Sequence, residues 1–159
     1  YTPATNLLYG LREALTMLVE EESLDRVFAR HARLAEATRR AVRAWGFEIL
    51  CLEPVEYSNT LTAVLMPEGH NADTLRKLIL DRFDLSLGAG LGKLQGKVFR
   101  IGHLGDFNEL MLAGTLCGVE MGLAAAGISH TKGGVLAALD YLTVGEQTRN
   151  IAEARTKTA

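Results

Sequence analysis

A chain of 159 residues, 48% hydrophobic and 23% charged, can bury a real core and fills one domain, or one domain plus an appended element. Seventeen Lys and Arg against nineteen Asp and Glu leave a formal net charge of −2, so no basic field exists to hold nucleic acid or an anionic membrane. The longest apolar runs are broken by glycine or charge well short of a membrane span. Cys51 and Cys117 lack metal-ligand spacing and read as two buried free thiols of a reducing, cytoplasmic compartment.

The sequence opens on a helix with no initiator Met and no signal segment, which reads as a piece of a longer protein. Thr5 or Asn6 is placed to cap a first helix with an apolar stripe of Leu7, Leu8, Leu11, Leu15, Leu18 and Val19. The run Glu20-Glu21-Glu22 ends it, and Ser23 is placed to cap a second helix carrying Val27, Phe28, Leu34, Ala35, Ala41, Val42 and Trp45 up to Gly46. The arginines of that helix (Arg26, Arg30, Arg33, Arg39, Arg40 and Arg43) read as a solvated face, because Asp25 and Glu36 interrupt them and no aromatics interleave.

Strand signals follow at Phe47–Leu52 and Thr60–Met66, with the turn Pro67-Glu-Gly69 after the second. A helix starts at Asn71 or Ala72 and runs through Leu75, Leu78, Ile79 and Phe83. Leu85–Leu87 and Lys97–His103 read as two further strands flanking a glycine-rich loop. Asp106 and Glu109 resemble a capping box for a helix bearing Leu110, Met111, Cys117 and Met121 and ending near Gly127. A short helix over Gly134–Leu142 precedes a polar tail. The order ααββαββαα predicts an α+β sandwich, a short and mainly antiparallel sheet covered by helices.

The loop segment Gly88-Ala-Gly-Leu-Gly92 superficially suggests a nucleotide fingerprint, but a strand follows it where the dinucleotide motif requires a helix. The phosphate-loop pattern fails as well, with Leu87 at the first glycine position and Leu94 after Lys93. Arg100 shares a strand face with Val98 and Gly102, while Phe99 and Ile101 face the other way. It is either a structural strand cation or an anion anchor, and open glycine backbone beside it suits a small anionic ligand. His31, His70, His103 and His130 have no ligand spacing, so no metal site is expected, and His103, on the strand face opposite Arg100, reads as structural or as a support behind the site. Glu53 and Glu56 fall in a loop and read as solvated.

Several separated blocks, in order, resemble one family. They are Tyr1-Thr-Pro-Ala-Thr-Asn-Leu-Leu-Tyr-Gly-Leu-Arg-Glu-Ala14, Ser58-Asn-Thr60, Gly88-Ala-Gly-Leu-Gly92, Gly96-Lys-Val-Phe-Arg-Ile-Gly-His-Leu-Gly105, Gly118-Val-Glu-Met-Gly122 and Gly133-Gly134-Val135. Together they resemble the C-terminal part of class V pyridoxal-phosphate aminotransferases, nearest to the serine–glyoxylate and alanine–glyoxylate enzymes. The resemblance implies the small C-terminal domain of a fold-type-I enzyme that moves an amino group from serine or alanine to glyoxylate, in a homodimer whose two subunits build each active site. It implies that residues 1–22 pack on the large domain or dimer interface, that 23–145 form the small domain, and that 146–159 are a polar tail. Arg100 maps onto the arginine that binds the substrate carboxylate. Thr2 maps onto a threonine that reaches the phosphate of the pyridoxal phosphate in the neighbouring subunit, and Tyr1 has no secure counterpart. Lys77, Lys93, Lys97, Lys132 and Lys157 fall outside the family's cofactor-lysine motif, so no catalytic residue is expected in this chain and alone it should be inactive. A non-catalytic α+β module that binds a small acid, or simply assembles, is the alternative that the residues leave open.

Overall fold

The computed structural model describes residues 3–144. The expected tail over 146–159 lies outside them. Helix α1, Thr5–Leu15, continues as a wider π-type turn over Thr16–Glu22. Neither Thr5 nor Asn6 caps it; Ala4 holds the cap position with no side-chain bond. None of the residues of α1 is buried, and Leu7, Leu8, Leu11, Leu15 and Val19 all lie open.

Ser23 separates this helix from α2, Leu24–Ala44. It makes no capping bond; instead its backbone takes φ 75° and ψ 145°, a conformation nearly confined to glycine. Along α2, Val27, His31, Leu34, Ala35, Thr38, Ala41 and Val42 recur every three or four residues and form the buried face. Phe28 falls outside that face and is exposed. The helix ends as its glycine predicts. Gly46 adopts φ 86°, and the Gly46 and Phe47 N–H groups donate back to the Arg43 and Val42 carbonyls at 3.0 and 3.1 Å.

The arginines of α2 are not uniformly solvated. Arg39 is buried, donates to Glu36 and to the Ser58 carbonyl, and lies 5.1 Å from the Tyr57 ring centroid. Arg33 pairs with Glu109 and donates to the Leu142 carbonyl at 2.9 Å. Arg40 stacks 4.3 Å from the Tyr141 ring. The Arg33 and Arg40 contacts tie α2 to the chain's second half, and those of Arg39 tie it to the loop at Tyr57 and Ser58. The planar guanidinium can bond and stack at once, which a charge count does not reveal.

The sheet has three antiparallel strands in the order β1-β3-β2: β1 Leu61–Leu65, β2 Gly88–Ala89 and β3 Val98–Gly102. The strand expected over Phe47–Leu52 shrinks to a single bridge, Ile49 to Val64, beside which Leu50 donates to Ala63 and Leu65 to Glu48. The strand expected at Leu85–Leu87 lies instead at Gly88–Ala89. Helix α3, Ala72–Phe83, precedes β2 and is capped by Asn71, whose side chain accepts from the Asp73 and Thr74 N–H groups.

Helix α4, Glu109–Ala125, is capped by the Asn108 side chain and not by Asp106. Leu112, Leu116, Val119 and Leu123 are its core residues, whereas Leu110, Met111 and Met121 are exposed. Cys117 is also exposed and Cys51 only partly covered, so the expectation of two buried thiols fails; both are free. Gly122 lets α4 settle against α3, since a Cβ there would stand 2.3 Å from Ile79 Cγ1. Residues 134–144 form a last helix, α5. The core gathers Trp45, Val64, Leu75, Ile79, Phe99, Ile101, Leu112 and Leu116 between the helices and one sheet face.

Candidate functional site

Register decides which side chains share the other sheet face. Val64 pairs with Phe99 and Thr62 with Ile101, and all four are buried on the core side. One residue out of phase, Ala63 pairs with Arg100, and Gly88 pairs with Arg100 from the opposite strand. Arg100 thus sits on the central strand with the two smallest side-chain types as its lateral neighbours. Its Nε is buried and has no hydrogen-bond partner, and no carboxylate among the described residues pairs with it. A buried guanidinium N–H without an acceptor is costly, so the position favours an incoming anion.

The loop beside Arg100 is held from three directions. Arg76 on α3 donates through Nε to the Leu87 carbonyl at 2.7 Å and through a terminal nitrogen to Asp73 at 2.9 Å. The Ala72 N–H donates to Gly96 O at 2.8 Å, and the Met66 N–H to Lys97 O at 2.8 Å. Gly90 is buried, and a Cβ there would stand 2.0 Å from the Leu94 carbonyl oxygen. The missing side chain at Gly90 therefore serves closure of the loop on itself and not the approach of a ligand.

Beyond β3 the chain is fastened to α2. The Arg30 guanidinium grips the Glu22 carboxylate through two bonds of 2.7 Å and also donates to the Gly105 and Phe107 carbonyls. The Arg30 bond holds the Glu22 carboxyl below its usual range. His31 donates from Nδ1 to the Val27 carbonyl and accepts the Gly105 N–H at Nε2. His103, fully buried, donates from Nδ1 to Asn59 O at 3.2 Å and accepts from the Thr62 hydroxyl at Nε2, 3.0 Å away. Burial lowers its pKa from 6.5 to about 4. It is a structural imidazole, as its strand position implied.

Glu120 is a further anchor. Its carboxylate accepts from Trp45 Nε1 at 2.8 Å, from Gly133 N at 2.9 Å and from Val135 N at 3.1 Å. Burial alone would raise its pKa, but these three donors together bring it below the usual range.

Thr2 and Tyr1 lie outside the described residues. Lys77, Lys93, Lys97 and Lys132 are exposed, and Lys77 pairs with Asp81. Glu53 and Glu56 are exposed as expected. No group of three or more His, Cys, Asp or Glu among the described residues is placed to hold a metal, and no described helix is long and apolar enough to cross a membrane. The sequence singles out Arg100 but not its neighbours Ala63 and Gly88, because pairing register is not written in local sequence. Nor does it single out Arg76, for the same reason; the only local signal is Asp73 three residues earlier.

Comparison with known proteins agrees with this architecture. No protein-family model matches the chain. It is 53% identical over 143 residues to a serine–glyoxylate aminotransferase of Methylorubrum extorquens, covering 89% of this chain and 35% of that protein. It is 52% identical over 144 residues to the serine–glyoxylate aminotransferase of Arabidopsis thaliana, with the same coverage. Among solved structures, the pyridoxamine–pyruvate aminotransferase of Mesorhizobium loti superposes with a TM-score of 0.84 at 31% identity, covering 91% of this chain and 37% of that one. The chain spans about a third of the length of these relatives. In sequence and in fold, it matches the C-terminal part of the class V pyridoxal-phosphate aminotransferases.

Proposed function

We propose that this chain is the substrate-closing C-terminal domain of an aminotransferase that takes the amino group of serine or alanine and passes it to glyoxylate, giving glycine. The observation that supports this most is the Arg100 guanidinium, with a buried Nε that lacks an acceptor, on the open face of the sheet. Donor and acceptor both carry a carboxylate, and one planar fork of N–H donors serves both in turn. Two of the relatives named above are serine–glyoxylate aminotransferases, whose two named substrates both carry a carboxylate.

Pyridoxal phosphate, when bound, supplies the electron sink for such a transfer. The four described lysines are exposed, and the resemblance places none of them in the family's cofactor-lysine motif. We place its grip in the part of the enzyme outside this chain, with Thr2 of a neighbouring subunit reaching its phosphate. Residues 1–22 would pack on that other part or on the dimer interface, which suits a helix with none of its residues buried. The role of this chain is to bind and orient. Arg100 fixes the carboxylate, Arg76 and Gly96 hold the loop beside it, and Arg30 and His31 fasten the end of its strand to α2.

The test is an amino-transfer assay on the complete enzyme, with serine and alanine as donors and glyoxylate as acceptor. Arg100→Ala should lower efficiency about 100-fold or more, as expected for loss of a desolvated charge contact. Absence of glycine formation by the unaltered enzyme would overturn the assignment.

A further inference from the structure

We propose that Gly88 is a positioning residue for Arg100, setting where the guanidinium lies and thereby how tightly the enzyme holds a substrate carboxylate. This rests on the reading of Arg100 given above. Gly88 is the direct cross-strand partner of Arg100. A Cβ at position 88 would stand 3.0 Å from the Arg100 Cβ and 3.1 Å from its Nε. Both gaps are tighter than ordinary van der Waals contact, so even one methyl group obliges the arginine to give by a few tenths of an ångström. The atom it would press on is the buried Nε that has no partner.

The backbone at Gly88 is not free to yield instead. Arg76 holds the preceding carbonyl, Leu87 O, at 2.7 Å, and is itself fixed by Asp73. On the far side, Gly90 is locked against the Leu94 carbonyl, with no room for a side chain. Strand β2 is thus held on both sides of Gly88, and a side chain added at 88 presses on the guanidinium. Ala63, the neighbour on β1, leaves the opposite flank open. A larger residue at 88 would drive the guanidinium toward that flank, away from the geometry in which its donors meet a carboxylate. Gly88 does not itself need to touch substrate, and its effect passes through Arg100.

The experiment uses the complete enzyme in four forms: unaltered, Gly88→Val, Arg100→Ala and the double variant. KM and kcat are measured for glyoxylate and for the amino donor, together with inhibition by acetate, a carboxylate that cannot react. Melting temperature serves as the control for folding. Gly88→Val should raise KM and the acetate inhibition constant together, about 30-fold, with kcat changed much less. In the Arg100→Ala background the same substitution should add less than about two-fold, because coupled sites are not additive. A purely structural defect would instead lower the active fraction and the melting temperature without moving KM. If Gly88→Val does not fold, Gly88→Ala carries the test, with an expected rise of about three-fold that again vanishes without Arg100. Raised KM in Arg100→Ala alongside unchanged KM in the Gly88 variant overturns the role of Gly88 alone. Unchanged KM in Arg100→Ala overturns the reading of Arg100, and the role of Gly88 with it.

Discussion

Acidification should destabilise this domain well before its carboxylates protonate, through one side chain. His103 is fully buried, and both ring nitrogens are engaged: Nδ1 donates to Asn59 O and Nε2 accepts from Thr62. Protonation would put a charge into the core and oblige the Thr62 hydroxyl to turn round. The folded pKa accordingly falls from 6.5 to about 4, with burial as the main cause. A histidine with a depressed folded pKa contributes stability that is complete above the unfolded value and is lost as pH falls toward the folded one. Between pH 6.5 and about 4 the unfolded chain binds one more proton than the folded chain at this site. The loss is about 2 kcal/mol at pH 5 and approaches about 3 kcal/mol near pH 4. Glu22 and Glu120 are also held below the usual carboxylate range, so their contributions are lost only below pH 4.5 and do not overlap the upper part of this window. Urea unfolding at pH 7 and pH 5, on the chain and on His103→Gln, measures the difference, and an imidazole titration by NMR locates the pKa directly. Equal pH slopes in the two proteins, or a His103 pKa near 6.5, would refute the reasoning.

Three further outcomes follow from the packing. Glu120→Ala leaves Trp45 Nε1 and two backbone N–H groups without their acceptor; it should cost about 2 kcal/mol in urea unfolding, and a change below about 0.5 kcal/mol would show that water replaces the carboxylate. Ser23→Gly relieves the residue at φ 75° and should stabilise by about 1 kcal/mol; destabilisation would mean that the junction is not strained. The isolated chain should self-associate through the open leucines of α1. Sedimentation should show species larger than a monomer that are reduced by Leu8→Arg with Leu11→Arg, whereas a clean monomer at high concentration would contradict this.

The helices were legible because their signals are local. The stop at Gly46 and the start of α3 at Ala72 each need only neighbouring residues, and each stands where the sequence puts it, as does the spacing on α2 apart from the exposed Phe28. The strands were less legible. Phe47–Leu52 has the composition of a strand, yet only Ile49 bridges to Val64, because pairing depends on a distant partner. On α4 nearly every side is apolar, so periodicity could not say that Leu112 and Leu116 face inward while Leu110 and Met111 face out. Arg100 stood out as an arginine between two glycine segments. That Gly88 and Ala63 flank it, and that Arg76 holds the neighbouring loop, emerges only from register and tertiary contact. The arginines of α2 misled for a related reason, since a charge count cannot separate a solvated guanidinium from one that binds carbonyls and stacks on tyrosine.

The central claim is that Arg100 anchors the carboxylate of both substrates, and Arg100→Lys in the complete enzyme tests it most directly. Lysine keeps the charge but not the planar two-point grip. The two half-reactions, with the amino donor and with glyoxylate, should each lose efficiency about 100-fold, while the cofactor spectrum and its occupancy stay unchanged. Near-normal efficiency with both substrates would contradict the account and make Arg100 a structural cation of the sheet.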